Sequence, residues 1–503
     1  MVQPLTDPVI QKLEHALPNY LAGRRWYRAK AQTISALTVQ DILHVGGFLV
    51  LLLNVQYTQG EEDLYLLPIT SVHEPTAEES LEEPITTFEN PDGDPVVVYD
   101  AVQSPFFRTV LLRALTEGAT FQGRVGSLVA HSNGASPQLP DPLHSSVSKA
   151  EQSNTSIIYN QEFILKLFRK IEAGINPDVE VAAFLTAEGF KNIPAVVSTL
   201  EYRAHNGEQF SAGILQQFVA NQGDAWKYTL DSLAAFYARA LNSTLDNPQL
   251  LGKYAASATL LGIRTAQMHM ALANSQGNPD FTPEPFTSSD AQTLSDEIAA
   301  QAKTSLNLLR AKSAALPYTE QQLALQVLEL EPRILQNFRV LPAISTTAKR
   351  IRHHGDYHLG QVLYTGSDFM IIDFEGEPAR PLSERRTKAL ALRDVAGLLR
   401  SFQYAAYAGL YGLVPGLPTD PESAEKIAQS SAWWNEQVSR LYLNAYFTEA
   451  EGRPFIPASP EQRQLFLNAY LLQKALYEVQ YELNNRPAWV GIPLRGILHL
   501  LEF

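Results

Sequence analysis

The sequence predicts an α+β protein with a β-rich amino-terminal part and a larger helical carboxyl-terminal part, and three observations support this. After a predicted helix, DPVIQKLEHALPNYL, short apolar runs separated by Gly-Gly and by QGEED extend to residue 72, which is typical of an antiparallel meander. A second group of short strands, with two helices, extends to residue 219. From residue 221 onward, apolar residues recur every three or four positions, which indicates helices.

The chain is long enough for more than one core. Its 503 residues exceed a typical single domain, and 45% hydrophobic with 18% charged residues describe a globular protein. We predict a cap subdomain over 1–93, an intermediate β subdomain plus a first lobe over 94–219, and a helical lobe over 220–503. We interpret the acidic, Pro-rich segment 73–95 as a loop at the first boundary.

Charge and composition exclude several classes of function. A net charge of −14 argues against sequence-independent nucleic-acid binding and against anchoring to an anionic membrane. The chain has no cysteine, which excludes disulfides, zinc–thiolate sites and cysteine nucleophiles. No basic and then apolar leader begins the sequence, and the longest apolar run, Phe48 to Val55, is far shorter than a membrane span. We therefore expect a soluble, cytoplasmic protein.

The segment HHGDYHLGQVLYTGSDFMIIDFEGEP, residues 353–378, predicts a hairpin with polar groups at its ends. Gln361 lies five residues after Asp356, the spacing between the catalytic Asp and the metal-binding Asn of protein kinases. Asp373 follows an apolar strand that can fold back toward Gln361. The alternative is a surface hairpin with solvated acids. The spacing favours a phosphoryl-transfer site in which Asp356 is the base and Gln361 and Asp373 hold Mg²⁺.

The strands upstream supply candidates for nucleotide binding. Lys166 lies among apolar residues in EFILKLF, like the phosphate-binding Lys of protein kinases, and Glu180 or Asp178 could pair with it. The alternative is a Lys on an exposed strand face. No G-x-G-x-x-G is present, so a polar turn is the candidate for contacting phosphates. The predicted ATP-binding residues are Lys166, Glu180, Ser153, Asn154, Thr155, Ser156, Gln217 and Val219, the last two through backbone contacts to adenine.

The carboxyl-terminal helices offer side chains for a sugar acceptor, which needs aromatic platforms and partners for its hydroxyls. Glu478 and Glu482 are four residues apart and therefore share a helical face. Any single aromatic residue here, Trp433 and Trp434 included, is more often a core residue. His358 could reach the acceptor or fill its loop, and Glu375 could contact metal or acceptor or be solvated. The predicted acceptor-binding residues are His358, Glu375, Arg393, Tyr404, Glu478, Tyr481 and Glu482.

Several of these segments together resemble maltokinases, which belong to the aminoglycoside-phosphotransferase-like kinases. The resemblance rests on HGDYHLGQVL, IDFEGEP, RDVAGLLRSF, EQSNTS, NPDVEV, LYEVQYELNNRPAWVGIPL and RRWYRAK. The last of these, residues 24–30, is similar to the R-W-F-x-x-K pattern of the family's amino-terminal cap. It departs at Tyr27, Arg28 and Ala29, where the family more often has Phe-Gly-Gly.

The resemblance implies a two-lobed kinase-like fold with an extra amino-terminal β-rich cap. It also implies that ATP and Mg²⁺ are used to convert maltose into maltose 1-phosphate for α-glucan synthesis, with a functional link to trehalose synthase. Three alternatives stay open. The acceptor could be another sugar or an aminosugar such as glucosamine, it could be an aminoglycoside, or the chain could be a non-catalytic kinase-like binding protein. The local density of acidic residues does not decide between a sugar and an aminoglycoside.

Overall fold

The computed structural model describes residues 7–72, 83–89, 93–134, 137–148, 153–337, 339–378, 380–414, 416–418 and 420–501. The chain divides into two compact units: Met1–Thr186 with Pro194–Ala220, and Ala187–Ile193 with Asn221–Phe503. Across these described ranges, none of the helices combines the length and the apolar character that crossing a membrane requires.

The described residues of the amino-terminal unit form three helices and thirteen strands. In chain order they are α1 (Asp7–Ala22), β1 (Ile34–Val45), β2 (Phe48–Tyr57), β3 (Asp63–Val72), β4 (Thr86–Glu89), β5 (Pro95–Asp100), α2 (Pro105–Glu117), β6 (Thr120–Gln122), β7 (Gly126–Ser132), β8 (Ser145–Val147), β9 (Thr155–Tyr159), β10 (Phe163–Leu167), β11 (Lys170–Ile171), α3 (Pro177–Ala187), β12 (Val196–Ala204) and β13 (Gln209–Gln217).

The first sheet has the order β1-β2-β3-β5-β4, with β11 paired to β3, and it contains the predicted meander. Its strand β2 is apolar from Phe48 to Leu53, and both faces of this part are buried. Leu49 and Leu51 pack in the core beneath α1, whereas Val50 and Leu52 pack in a second core shared with α2. The interpretation of 73–95 as a loop is wrong at β4, and residues 73–82 and 90–92 lie outside the described residues. Since β5 pairs with β3, the sheet continues beyond the predicted boundary.

The second sheet is antiparallel and has the order β6-β7-β12-β13-β10-β9-β8. Strands β9 and β10 are joined by a tight turn at Asn160 and Gln161, whose φ angles of 49° and 56° are typical of a two-residue hairpin turn. This turn was expected from the sequence. The hairpin places Lys166 on β10 directly opposite Ser156 on β9.

The carboxyl-terminal unit is mostly helical, as predicted. Its elements are α4 (Ala225–Ala240), α5 (Tyr254–Leu272), β14 (Glu284–Pro285), α6 (Ser288–Lys312), α7 (Tyr318–Glu329), α8 (Glu331–Asn337), β15 (Lys349–Arg350), β16 (Val362–Tyr364), β17 (Phe369–Ile371), α9 (Leu382–Arg385), α10 (Leu392–Tyr407), α11 (Pro421–Glu449), α12 (Pro460–Asn485) and α13 (Gly491–Leu501). Helix α10 packs against both α11 and α12.

The two tryptophans of α11 lie between helices. Trp434 is fully buried and packs against Tyr254 and Phe402, and Trp433 stacks on Phe236. Neither lines the cavity described below. Trp434 is therefore a core residue and Trp433 is a partly buried packing residue, which was the alternative to an acceptor-binding role.

Candidate active site

The hairpin of β16 and β17 brings Gln361 and Asp373 together. The two strands pair antiparallel with Val362 opposite Ile371, so the residues flanking this pair become neighbours. Nε2 of Gln361 donates a hydrogen bond of 2.7 Å to Oδ2 of Asp373. Asp373 has a φ of 64°, a left-handed conformation that costs a non-glycine residue energy and that is concentrated at functional sites.

These two side chains could hold a magnesium ion. Carboxylate and amide oxygens are hard donors, and Mg²⁺ is usually bound by one or two carboxylates together with water and substrate phosphates. Within the described ranges, no three His, Asp or Glu side chains are grouped so as to form a metal site unaided. One carboxylate and one amide oxygen fit Mg²⁺, which would take its other ligands from water and phosphate.

Helix α10 fixes the backbone of the loop before the hairpin. The carboxylate of Asp394 accepts hydrogen bonds from the N–H groups of His354 at 2.7 Å and Gly355 at 3.0 Å. One turn along, a Cβ on Gly397 would lie 2.6 Å from the carbonyl oxygen of Tyr357. In the following turn, Ser401 Oγ accepts from the N–H of Leu359. One face of α10 therefore sets the position of the loop that carries Asp356.

The charge of Asp394 is stabilised although the side chain is buried. Burial alone would raise the pKa of Asp394, but the hydrogen bond from His269 and the nearby His353 and His354 hold that pKa well below its usual range. Burial lowers the pKa of His353 to about 3, despite the opposing effect of Asp394. At neutral pH, Asp394 is therefore a carboxylate and His353 is a neutral imidazole.

Asp356, the predicted base, lies between a cation and a histidine. Lys474 Nζ is 3.2 Å from its Oδ1, and His358 Nε2 is 3.7 Å from its Oδ2. His358 Nδ1 accepts from the N–H of Gly360, so in the neutral ring the proton is on Nε2, the nitrogen nearer Asp356. Burial alone would lower the pKa of Lys474, but Asp356 and Glu377 raise it, so the ammonium group stays charged.

Asp356 lines a cavity of about 540 Å³ that is formed by residues of the carboxyl-terminal unit. Five of the predicted acceptor-binding residues line it, namely His358, Tyr404, Glu478, Tyr481 and Glu482. Arg393 lines a smaller neighbouring cavity that also contains Asp356. Glu375 lines neither cavity; it is buried, and its carbonyl oxygen accepts from Arg385.

Two of the lining carboxylates are already held by arginines. Glu478 accepts from Nε of Arg400 at 2.8 Å, and both groups are buried. Glu482 is fully buried, accepts from Arg486 at 2.7 and 3.0 Å and also accepts from the hydroxyl of Tyr404. Burial raises the pKa of Glu482, an effect that Arg486 opposes. These carboxylates contribute to the wall of the cavity and to its stability at the same time.

Sequence reasoning missed two charged residues of the site. Lys474 contacts both Asp356 and Glu377, and Glu377 accepts a hydrogen bond from Tyr477. The signal for Lys474 was its position four residues before Glu478 on a helix, which places it on the same face. Glu377 lies four residues after Asp373 and had no periodic pattern to mark it.

The predicted nucleotide-binding residues lie in the amino-terminal unit. Lys166 Nζ is 3.0 Å from Oδ2 of Asp178, the alternative partner, and this pair is mostly buried. Because directly opposed residues of an antiparallel pair point to one face, Ser156 shares the face of Lys166, whereas Thr155 points to the other face. There the Thr155 hydroxyl accepts from Arg169 at 2.8 Å.

The other predicted contacts are partly occupied by the fold. Asn154 is buried, and its side-chain amide donates to the hydroxyl of Ser153. The N–H group of Gln217 donates to the carbonyl of Ala195, so it already has an acceptor inside the unit. Glu180 lies in the first turn of α3 beside Asp178, and Val219 follows β13. Their roles toward a nucleotide stay predictions.

The chain is similar to known proteins over most of its length. The model of the maltokinase N-terminal cap domain matches residues 20–103. Glucosamine kinase of Mycolicibacterium smegmatis is 22% identical over 357 residues, 70% of this chain and 78% of that protein. Glucosamine kinase of Streptacidiphilus jiangxiensis is 24% identical over 354 residues, 70% of this chain and 72% of that protein.

The fold is shared with a solved enzyme structure. A glucosamine kinase in complex with glucosamine, ADP and inorganic phosphate superimposes with a TM-score of 0.65 at 19% identity, covering 97% of this chain and 98% of that chain. The fold is therefore that of a kinase-like phosphotransferase with an amino-terminal β-rich cap, as predicted. The chain thus contains a segment similar to the maltokinase N-terminal cap domain, and it is similar to glucosamine kinases in sequence and in fold.

Proposed function

We propose that the protein is an ATP-dependent sugar kinase that phosphorylates a hydroxyl group of an aminosugar. The observation that carries the proposal is the carboxylate of Asp356, which lines the 540 Å³ cavity and belongs to the loop that leads into the hairpin of the Gln361–Asp373 pair. In this proposal Asp356 orients the acceptor hydroxyl and accepts its proton as the oxygen attacks the γ-phosphorus and ADP departs. The acceptor hydroxyl replaces the ammonium group of Lys474 as the partner of Asp356.

The other residues of the proposed site bind ATP and its metal ion. Lys166, held by Asp178, is the proposed cation for the phosphates, with donors from the turn that contains Ser153 and Ser156. Gln361 and Asp373 would hold Mg²⁺, whose charge neutralises the phosphates during transfer. ATP use is supported by the similarity to a glucosamine kinase whose structure contains ADP.

The choice of acceptor rests on the charge of the cavity. Its lining includes five acidic residues, Asp224, Asp356, Glu377, Glu478 and Glu482, and two basic ones, Lys474 and Arg486. Even when Arg400 is added as the partner of Glu478, acidic groups are in excess, which favours an acceptor with an ammonium group. The residues that line this cavity, among those the structure describes, lie outside the segment 20–103 that matches the maltokinase cap.

Maltose is the second candidate, and the aromatic side chains of the cavity favour it. Trp226, Tyr404, Tyr481 and Trp489 line the cavity and offer flat apolar surfaces for pyranose faces. Its phosphorylation at the anomeric hydroxyl, a contribution to α-glucan synthesis and a link to trehalose synthase follow from the sequence resemblance alone.

The test compares acceptors that differ at one group. ATP consumption with Mg²⁺ is measured for glucosamine, glucose and N-acetylglucosamine, with maltose, trehalose and kanamycin alongside. A kcat/KM that is highest for glucosamine and lower for both neutral analogues supports the aminosugar. Preferred turnover of maltose, with phosphate on the anomeric carbon by NMR, selects the second candidate. No turnover of any sugar, with ATP binding intact, refutes a sugar kinase.

A further inference from the structure

A second large cavity lies wholly within the amino-terminal unit, and part of the cap segment RRWYRAK lines it. Its volume is about 810 Å³, and its walls come from the loop after α1, the residues after β5, strand β8 and the start of β9. The proposed phosphoryl transfer uses none of its charged residues. The charged residues that line it are four arginines, Arg24, Arg25, Arg108 and Arg169, and two acids, Glu83 and Asp100.

Arg108 is a buried cation whose hydrogen bonds to the described residues go to neutral acceptors. The side chain is 6% exposed, and it donates to the carbonyl oxygens of Val102 and Gln103 and to the hydroxyl and carbonyl oxygens of Ser145. Burial lowers its pKa. A buried charge is costly unless an opposite charge compensates it, so Arg108 leaves positive charge beside the cavity.

Arg169 is buried more deeply, with 2% exposure, and is only partly paired. Its Nε donates to Thr155, its Nη2 forms an ion pair of 2.7 Å with Asp100, and its guanidinium stacks on Trp26. Among the described residues, Nη1 of Arg169 has no hydrogen-bond acceptor. A buried donor without an acceptor is rare in folded proteins and is commonly met by a bound ion or water.

Arg24 shows the same feature nearer to solvent. Its Nε has no acceptor among the described residues, and its guanidinium lies over the ring of Tyr20. Its Nη2 pairs with Glu83, whose side chain is 73% exposed. An exposed carboxylate is held weakly, because water competes for it. Another oxyanion can therefore displace the carboxylate of Glu83 from Arg24.

We propose that this cap cavity binds an oxyanion, the phosphate group of a small phosphorylated metabolite, through Arg24 and Arg169. Phosphate offers several acceptor oxygens and matches the planar donor fork of arginine. Two guanidinium groups with unused donors and a third buried cation provide the charge that such a dianion requires. The inference does not depend on the proposed reaction, since every residue in it lies outside the catalytic hairpin.

An anion in this cavity would contact the turn that is proposed to serve ATP. Asn154 and Thr155 line the cavity, and Ser156, the next residue, shares the opposite strand face with Lys166. Binding of the anion would hold the Thr155–Arg169 contact and thereby the start of β9. The cavity is therefore placed to influence nucleotide binding.

The test measures binding of inorganic phosphate to the full chain without nucleotide, by calorimetry at constant ionic strength. Arg24→Gln removes the accessible guanidinium, and we expect its Kd for phosphate to rise roughly tenfold or more. Glu83→Gln removes the competing carboxylate, and its Kd should fall. Lys166→Met, which alters the nucleotide site, should leave the Kd within about twofold of the wild-type value. Glucose 6-phosphate should bind where glucose does not.

The variants separate this cavity from the nucleotide site. An unchanged Kd in Arg24→Gln, with the ligand-free melting temperature of the wild type, overturns the proposal. Loss of phosphate binding in Lys166→Met also overturns it, because phosphate would then occupy only the nucleotide site. Should Arg24→Gln fail to fold, Glu83→Gln decides, since unchanged or weaker binding in that variant contradicts the role of Arg24.

Discussion

The loop that carries Asp356, the proposed base, and helix α12 both bring carboxylates to the same cavity, but they hold them differently. Asp356 faces the ammonium group of Lys474, a flexible partner on a partly exposed side chain. Glu478 and Glu482 are buried and are held by arginine forks. A carboxylate with a mobile partner can exchange it for a substrate, whereas a buried pair loses stability when it is broken. We therefore expect Asp356 to act in the reaction, and Glu478 and Glu482 to stabilise the fold. Four experiments test this difference.

The largest expected effect is on catalysis. Asp356→Asn should lower kcat by a factor of about 10²–10⁴, the range of general-base catalysis, and leave the melting temperature nearly unchanged. Steady-state ATP consumption with the preferred acceptor measures this. Asp231→Asn, on the exposed surface of α4, is the control and should behave as wild type. Activity within tenfold of wild type would remove Asp356 as the base.

The opposite pattern is expected for Glu478. Glu478→Gln leaves Arg400 buried without its carboxylate, which should lower the free energy of unfolding by about 3 kcal/mol, the scale for a broken buried ion pair. Urea denaturation measures the change, and Glu425→Gln on the surface of α11 serves as the control. The double variant Arg400→Met with Glu478→Met should recover part of the stability. A single variant as stable as wild type would show that this pair does not support the wall.

A pH experiment tests how the buried, neutral His353 affects the stability of the folded protein. The pKa of His353 is near 3 in the folded protein and about 6.5 in an unfolded chain, so the unfolded state binds the additional proton. The resulting stability is complete above pH 6.5 and declines as the pH falls toward 3. Urea unfolding at pH 7.5 and pH 5 should show this loss in the wild type and a smaller loss in His353→Gln. Equal losses would exclude His353 as the cause.

The smallest effect is expected at the rim of the cavity. Tyr481 is 46% exposed and lines the cavity, so Tyr481→Ala should raise KM for the acceptor about twofold to tenfold, the scale of one aromatic contact, with little change in stability. Tyr318→Ala, at a more exposed tyrosine on α7, is the control. An unchanged KM would place the acceptor away from α12.

The sequence predicts contacts well when the two residues are close together along the chain. Gln361 and Asp373 are twelve residues apart, and an apolar hairpin between them leaves few ways to arrange their side chains, so their contact was predictable. Lys474 is 118 residues from Asp356, and Arg400 is 78 residues from Glu478. Such pairs depend on how helices pack, which periodicity does not specify. For the same reason β2 was recognisable as a strand, but its burial on both faces was not.

The contacts of helix α10 limit where residues can be inserted into the chain. Asp394, Gly397, Ser401 and Tyr404 lie along one face; the first three meet the catalytic loop, and Tyr404 meets Glu482 in the acceptor wall. A single residue inserted between Asp394 and Ser401 would turn the later contacts by about 100° relative to the earlier ones. The proposed base and the proposed acceptor-binding wall are thus kept in register by the pitch of one helix, and loops elsewhere can lengthen without changing that register.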